Sequence, residues 1–350
     1  MRPPTPFSLL ALATFATGAA CAHGLPGPSS LPGVSEVRST LEVLAADSLE
    51  GRGTGTAGSL KAARFIASRM QAYGLSPAGD SGFYQRVPLV ADSLPSTGGP
   101  RRPELRLRTA ADPQIPTVPA YNVVATLPGS DSSLRAEAVL VDAHYDHLGI
   151  GPPVAGDSIY NGADDDGSGV TAVLEIARVL AKGPRPRRTL IFLATTGEEV
   201  GLLGTRWYIQ HPAVPLGQTV ANLEIEMIGR PDSLAGGAGN GWLTGYDRST
   251  MGDKLKAAGI PIVPDPRPDQ QFFQRSDNIA FARLGIPAHT LSSFGMHADY
   301  HQPSDDLSRI DWAHLEKVIV AATQAVRLLG DSAAPGWKPG GQPGSVGAGQ

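Results

Sequence analysis

The chain of 350 residues contains a single cysteine, Cys21. One thiol allows no disulfide within the chain, so the fold must rest on a packed core rather than on covalent staples. A membrane span is also missing. The apolar stretch near the start, Phe7 to Ala16, is well short of the roughly 20 residues a spanning helix needs. Positive charge is not in excess, with 29 Lys and Arg against 33 Asp and Glu. No basic stripe interleaved with aromatics appears, which argues against a nucleic-acid partner. The glycine-rich stretch from Gly51 to Gly58 lacks a Gly-Lys-Ser/Thr ending, so it is not a phosphate-cradling loop. No internal repeat is visible. The hydrophobic content of 41% is enough, at this length, for one large core.

What the chain does have is a set of acid and histidine motifs, each placed after an apolar run. Thr189 to Ala194 reads as a buried strand, and it leads into Thr195-Thr196-Gly197-Glu198-Glu199. Two adjacent carboxylates at the end of such a strand are costly unless something pairs with them. They point different ways and so cannot share one job. A second strand, Val139 to Ala143, runs into His144-Tyr145-Asp146-His147. Asp146, two residues on, suits a carboxylate that holds the free nitrogen of a metal-bound imidazole. Asn161 to Gly169 carries Asp164, Asp165 and Asp166 and precedes a segment of helical spacing. Three consecutive aspartates repel one another unless a cation neutralises them. Leu223 to Gly229 alternates as a strand and carries Glu226, and a polar loop after Ile286 to Leu291 carries His301.

Each motif alone has a plainer reading. His144 could be a satisfied structural histidine, and His301 a turn residue. The aspartates could form a calcium loop or a helix N-cap cluster, and Glu226 could be an exposed strand residue. The set is what points to chemistry: histidines and carboxylates at successive strand exits, where open α/β sheets place their ligand sites. Mixed His and carboxylate ligands without cysteine suit zinc, with manganese or cobalt as substitutes.

On these residues the chain resembles the secreted dizinc aminopeptidases of the aminopeptidase Y and bacterial leucyl aminopeptidase group, from about Leu41 to Leu329. The likeness includes Leu49-Glu50-Gly51-Arg52-Gly53-Thr54-Gly55, Asn122 to Gly129, His144 to Gly149, the aspartate loop, Gly197 to Gly204, Glu226 to Arg230 and Tyr300-His301. The resemblance implies a phosphorylase/hydrolase-like zinc exopeptidase fold and two Zn²⁺ per subunit. One ion would be held by His144, Asp165 and Glu226, the other by Glu199 and His301, with Asp165 bridging. Glu198 would be the general base, Asp146 would orient His144, and Tyr300 would steady the tetrahedral intermediate. The implied substrates are peptides with a free N-terminus, with apolar first residues such as Leu or Phe. Position 226 is more often Asp in the family. The extra methylene of Glu226 moves its carboxylate by roughly 1.5 Å, which bears on the affinity and metal preference of the first site.

The pattern as a whole reads as an α/β three-layer sandwich, a central mixed β-sheet with helices on both faces. Expected strands are Tyr121-Leu127, Val139-Ala143, Leu190-Ala194, Val220-Ile228 and Ile286-Leu291. Expected helices are Val34-Ala46, Ser59-Tyr73, Gly169-Leu180, Leu202-Ile209, a short one near Asp277-Leu284 and a closing one at Trp312-Leu329. Residues 91–120 read as an excursion at the sheet edge, too short for an inserted protease-associated domain.

The N-terminus reads as a targeting segment over residues 1–22, with Arg2 as the positive end and small residues around Cys21 for cleavage. Two readings stay open: a lipidated Cys21 of a bacterial lipoprotein, or a signal peptidase cut nearby. Either gives export to the periplasm, the outer membrane as a lipoprotein, or the medium. Residues 23–34 read as a linker, 35–330 as the peptidase domain and 331–350 as a disordered tail.

Other residues draw notice. His147 reads as a loop-ordering or outer-shell group, His297 as a surface histidine, and Arg230 as a structural salt-bridge residue. Trp242, Phe272, Phe273 and Phe294 are core aromatics or specificity-pocket walls. Competing functions are a glutaminyl-cyclase-like single-zinc acyltransferase, a carboxypeptidase on the same scaffold, and an inactive binding module. The full set of metal positions together with Glu198 favours a zinc aminopeptidase.

Overall fold

The computed structural model describes residue 1 and residues 33–91 and 104–344. The expected targeting segment with Cys21, most of the expected linker, residues 92–103 of the edge excursion and residues 345–350 lie outside the described residues. In chain order the elements are α1 (Val34–Leu44), α2 (Ala57–Ala72), β1 (Ser76–Pro77), β2 (Tyr84–Arg86), β3 (Leu89–Ala91), β4 (Leu105–Leu107), β5 (Tyr121–Leu127), β6 (Ala138–His144), β7 (Gly149–Val154), β8 (Asp157–Tyr160), α3 (Gly169–Lys182), β9 (Thr189–Thr195), α4 (Leu203–Gln210), β10 (Thr219–Ile225), β11 (Gly241–Leu243), α5 (Thr250–Ala257), β12 (Ile262–Pro264), α6 (Asn278–Ala282), β13 (Ala288–Ser292) and α7 (Trp312–Asp331).

The main sheet runs β1-β5-β9-β6-β10-β13-β11-β12, with β2 also paired to β5. Strands β9, β6, β10 and β13 are mutually parallel; β5 pairs antiparallel with β9, and β11 pairs antiparallel with β13 but parallel with β12. Alternate residues of each central strand face opposite layers. Val139, Val141 and Ala143 pack with α1, α2, α3 and α7, whereas Ala138 and Leu140 pack with α4 and α6. The sheet is therefore mixed and covered on both faces, as the sequence pattern implies. Because the four central strands are parallel, their carboxyl ends lie side by side along one edge. No helix among the described residues is long and apolar enough to cross a membrane.

Three differences from the sequence pattern have physical causes. First, β10 stops at Ile225 rather than Ile228. The next amides are drawn off the sheet by the aspartate loop: Met227 N donates to Asp166 Oδ1 at 3.1 Å, Ile228 N to Ser168 Oγ at 2.9 Å and Gly229 N to Asp164 Oδ1 at 2.7 Å. Second, residues 332–344, expected to be part of a disordered tail, fold back on the sheet. Trp337 Nε1 donates to the Gly285 carbonyl at 2.8 Å, and its ring lies 5.7 Å from that of His289. Backbone bonds such as Thr250 N to Gly336 O and Lys338 N to Arg248 O, both 2.9 Å, join that aromatic in anchoring a stretch whose composition otherwise reads as unstructured. Third, β7 and β8 form a hairpin that the residue pattern does not announce.

The N-terminal arm is tied to the sheet edge by Arg52, which is 1% exposed. Its guanidinium donates to the carbonyls of Tyr145 (2.7 Å), Leu44 (2.7 Å), Asn161 (2.5 Å) and Gly162 (2.8 Å), with a longer contact to Asp165 O at 3.4 Å. These carbonyls belong to the end of α1, the β6 exit and the aspartate loop. Arg52 thus clamps the two loops that carry His144 and Asp165. Gly51, at φ +61°, must lack a side chain here, because a Cβ would fall 2.4 Å from the Tyr160 carbonyl. Replacing the guanidinium leaves buried carbonyls without donors. Arg52→Met should therefore lower unfolding stability by roughly 3 kcal/mol or more in a urea titration; a loss under about 1 kcal/mol would show that the loops stand without it.

Candidate metal centre

All candidate ligands but Asp165 stand at or after the carboxyl end of a parallel strand. His144 is the last residue of β6. Glu198 and Glu199 follow β9, Glu226 follows β10 and His301 lies in the loop after β13. The aspartate loop forms an irregular turn over Ala163–Ser168, immediately before α3. Its three carboxylates do different work. Asp164 accepts from Gly229 N at 2.7 Å and lies 3.0 Å from His297 Nε2. Asp166 Oδ1 accepts from Gly169 N at 3.0 Å and Met227 N at 3.1 Å. Those two brace the backbone. The Asp165 carboxylate lies between two histidine clusters.

On one side, Asp165 Oδ1 is 3.3 Å from His144 Nε2, which is 3.9 Å from Glu226 Oε1. On the other, Asp165 Oδ2 is 3.2 Å from His301 Nε2, which is also 3.2 Å from Glu199 Oε2. His147 joins this second group: its Nδ1 is 2.8 Å from Glu199 Oε1 and 3.8 Å from Asp165 Oδ2. His144 is 1% and Asp165 and His147 are each 2% exposed. Yet His144 Nε2, Asp165 Oδ1, Glu199 Oε1 and both ring nitrogens of His147 have no hydrogen-bond partner. Buried polar atoms left in that state are costly. Tetrahedral ligands about 2.0–2.1 Å from a shared zinc stand roughly 3.3 Å apart, close to the spacing of the Asp165 contacts. The donor set, its spacing and its orphaned atoms fit a pair of divalent cations sharing Asp165, with His144 and Glu226 on one side and Glu199, His301 and His147 on the other.

Without cations, protons take up the strain. Burial opposes a charged His144, but Glu198, Asp165 and Asp166 outweigh it and hold its pKa well above the usual histidine value. Burial likewise opposes charge on His301, yet its contacts with Asp165 and Glu199 raise it to about 10. Burial and Asp165 push Glu199 upward, but His147 and His301 prevail and hold it at about 2. Burial, aided by the charge of Glu224, pushes Glu226 to about 8. Since 23% of the Glu226 side chain still faces the cleft, solvent tempers that rise. Burial also lifts Glu198 well above the usual carboxylate range, with His144 countering. A basic carboxylate beside the ligand clusters has the character of a proton acceptor.

The supporting residues divide into expected and unexpected. Family resemblance implies that Asp146 orients His144, and the spacing suggests that its carboxylate does so. Instead His144 Nδ1 lies 3.1 Å from the Asp146 backbone carbonyl. The Asp146 carboxylate accepts from Thr54 Oγ1 at 2.7 Å and from Glu198 N at 3.2 Å. The reason is direction: two residues past a strand end the chain has turned, so its carbonyl, not its side chain, meets the ring. Asp146 thus positions both His144 and Glu198, by different groups. Tyr300 stacks on His301 with ring centroids 3.9 Å apart and lines the cleft with Glu198, Glu199 and Glu226. Arg230 is structural, as expected, paired with Asp299 at 2.6 Å and Asp305 at 3.0 Å. His297 is held by Asp164 rather than free at the surface. Trp242, Phe272 and Phe294 line the cleft, whereas Phe273 packs under α6.

The sequence pattern underrates His147, does not mark Arg52 and Thr54 as supports, and does not single out Glu224. Glu224 is buried and accepts from Asp277 N (3.0 Å), Asn278 N (2.9 Å) and Thr290 Oγ1 (2.7 Å), as well as from Ser276 Oγ. The strand alternation Leu223-Glu224-Ile225-Glu226 puts both glutamates on one face, but only Glu226 stands at the strand exit, where a ligand is expected.

The shared carboxylate makes a distinct expectation for metal content. Asp165→Ala should lose both ions from the purified protein, while His301→Ala should lose mainly one. Elemental analysis showing one ion in the saturated wild type, or a full pair in Asp165→Ala, contradicts the shared-ligand geometry.

Comparison with known proteins gives a consistent picture. A model of Peptidase family M28 matches residues 122–326, more than half of the chain. Leupeptin-inactivating enzyme 1 of Streptomyces exfoliatus is 27% identical over 235 residues, covering 60% of this chain and 48% of that protein. The chain spans only 22% to 48% of the length of the first curated relatives it matches. Among solved structures, a zinc aminopeptidase from Bacillus subtilis superposes with a TM-score of 0.62 at 18% identity, covering 86% of this chain and 96% of that one. A glutaminyl cyclase from Porphyromonas gingivalis does so with a TM-score of 0.59 at 17% identity, covering 85% and 98%. At such identities the likeness establishes the fold alone, and it does not choose between the two activities.

Proposed function

The chain belongs to peptidase family M28, and we propose that it is a co-catalytic dizinc aminopeptidase that removes N-terminal residues from peptides. The observation that carries this reading is the buried Asp165 carboxylate, set between two histidine–carboxylate clusters in which His144 Nε2, Asp165 Oδ1, Glu199 Oε1 and the His147 ring nitrogens lack partners. A single-zinc acyltransferase has no use for the second cluster, which favours the peptidase over the cyclase reading.

His144, Asp165 and Glu226 would hold one zinc, and Asp165, Glu199 and His301 the other, with His147 beside them. When bound, the two ions supply Lewis-acid activation of a water and of the scissile carbonyl. The protein's own residues do the rest. Glu198, raised in basicity by burial, takes the proton of the attacking water and later returns it to the leaving amine, as base in one step and acid in the next. The Asp146 carboxylate holds the Glu198 backbone so that this side chain stays at the cleft floor. Tyr300, fixed by stacking on His301, offers its hydroxyl at the cleft wall to the developing oxyanion. The carboxylates gathered at the centre favour a substrate that presents its positive amino terminus beside the scissile bond. The expected site of action is outside the cytoplasm, a reading supported by the N-terminal targeting segment.

Glu198→Gln keeps size and removes basicity. Metal content should persist while turnover of aminoacyl-nitroanilides falls by roughly 10²–10⁴. A variant with near wild-type turnover would place the proton elsewhere.

A further inference from the structure

The cleft beside the ligand clusters has a second wall that the two-cation chemistry does not use. It is built by Trp242 on β11, by Phe272 and Arg275 in the segment before α6, and by Phe294 after β13. Trp242 and Phe272 rings lie 5.3 Å apart and Phe272 and Phe294 rings 6.0 Å apart, so the wall is a packed aromatic face. Its polar atoms divide into spent and free donors. Thr290 and Ser292 hydroxyls donate inward, to Glu224 Oε2 at 2.7 Å and Met227 O at 3.2 Å. Thr244 Oγ1 accepts from Thr290 N at 2.9 Å, which leaves its proton available. Trp242 is 1% exposed, and its Nε1 has no partner. Arg275 is exposed, with its guanidinium carbon 5.1 Å above the Phe272 ring. It makes no ion pair with a carboxylate among the described residues.

With the Thr290 and Ser292 protons spent, the free donors of this wall are the Thr244 hydroxyl, Trp242 Nε1 and the Arg275 guanidinium, and the cation among them matches an anionic acceptor. Charge balance agrees. Asp165, Glu198, Glu199 and Glu226 lie at the far side of the same cleft, where two divalent cations would offset much of their charge, while Arg275 stands on the aromatic wall with no carboxylate of its own among the described residues. Resting on the peptidase reading, we propose that this wall is the pocket for the first substrate residue and that it selects an acidic side chain, glutamate or aspartate. The methylene stem lies on the aromatic face and the carboxylate meets Arg275. This departs from the apolar first residue that family resemblance implies. Arg275 acts here as a specificity residue with no part in bond cleavage.

The test uses the zinc-loaded full chain and two isosteric ligands that differ in charge. L-glutamate and L-glutamine are titrated by calorimetry, and the γ-carboxyl and γ-amide aminoacyl-nitroanilides are compared by kcat/KM. Glutamate should be favoured on the order of 10-fold, the usual gain of a charge-assisted hydrogen bond. Arg275→Gln should bring the glutamate-to-glutamine ratio to about one, and Arg275→Lys should restore part of it, since a point charge replaces the guanidinium fork. Zinc content measured on the same samples shows whether the centre is intact. A wild type that prefers glutamine, or a preference that survives in Arg275→Gln, overturns the proposal. Should no nitroanilide be cleaved, the peptidase reading fails, while the binding ratio still decides the role of the wall.

Discussion

The structure depends on one buried carboxylate. Asp165 lies between imidazoles on both sides, at 3.3 Å from His144 and 3.2 Å from His301, with Glu226 and Glu199 beyond them. Gathering so many acids and histidines away from water is unfavourable unless cations or protons balance them. The opposed shifts of Glu199 to about 2 and His301 to about 10 are the protonated version of that balance. Divalent cations could satisfy the same atoms without trapping protons on the histidines.

Much of the surrounding architecture can be understood as support for that carboxylate. The parallel core strands bring four chain segments to one edge. The flanking Asp164 and Asp166 are spent on backbone amides, which pull residues 227–229 out of β10 and aim Glu226 at the site. Arg52 closes the arrangement from the other side, joining the arm, the β6 exit and the aspartate loop through carbonyls. The electrostatic cost of the site is thus matched by a rigid set of hydrogen bonds around it, as a preorganised ligand set would require.

The core strands and the long helices are legible in the sequence because each rests on local information, an apolar run with the right period. The motifs carrying His144, Asp165, Glu199, Glu226 and His301 are visible there too, but the choice of Asp165 among three aspartates and the division into two ligand sets come from resemblance. Glu198, Asp146 and Tyr300 can be named on resemblance; the structure brings Glu198 and Tyr300 to the cleft and buries Asp146 behind His144 and Glu198. What stays hidden depends on direction or on distant partners. The role of Asp146 divides between its carbonyl and its carboxylate, a distinction that spacing cannot express. His147 reads as a loop residue because nothing local shows that its ring turns toward Glu199. Arg52 sits in a glycine-rich stretch that reads as a turn, and its five acceptors come from residues up to 113 positions away. The short pairing of β3 with β4, the β7–β8 hairpin and the anchoring of residues 332–344 by Trp337 likewise arise from tertiary contacts rather than from propensity.

The account stands or falls on cation-dependent removal of a residue from a free amino terminus. A matched pair of peptides, one free and one N-acetylated, incubated with metal-loaded and with chelated protein and followed by mass spectrometry, tests it directly. The account predicts stepwise loss of the first residue from the free peptide with loaded protein only. Equal cleavage of the acetylated peptide, release from the C-terminal end, or undiminished cleavage by chelated protein would contradict it.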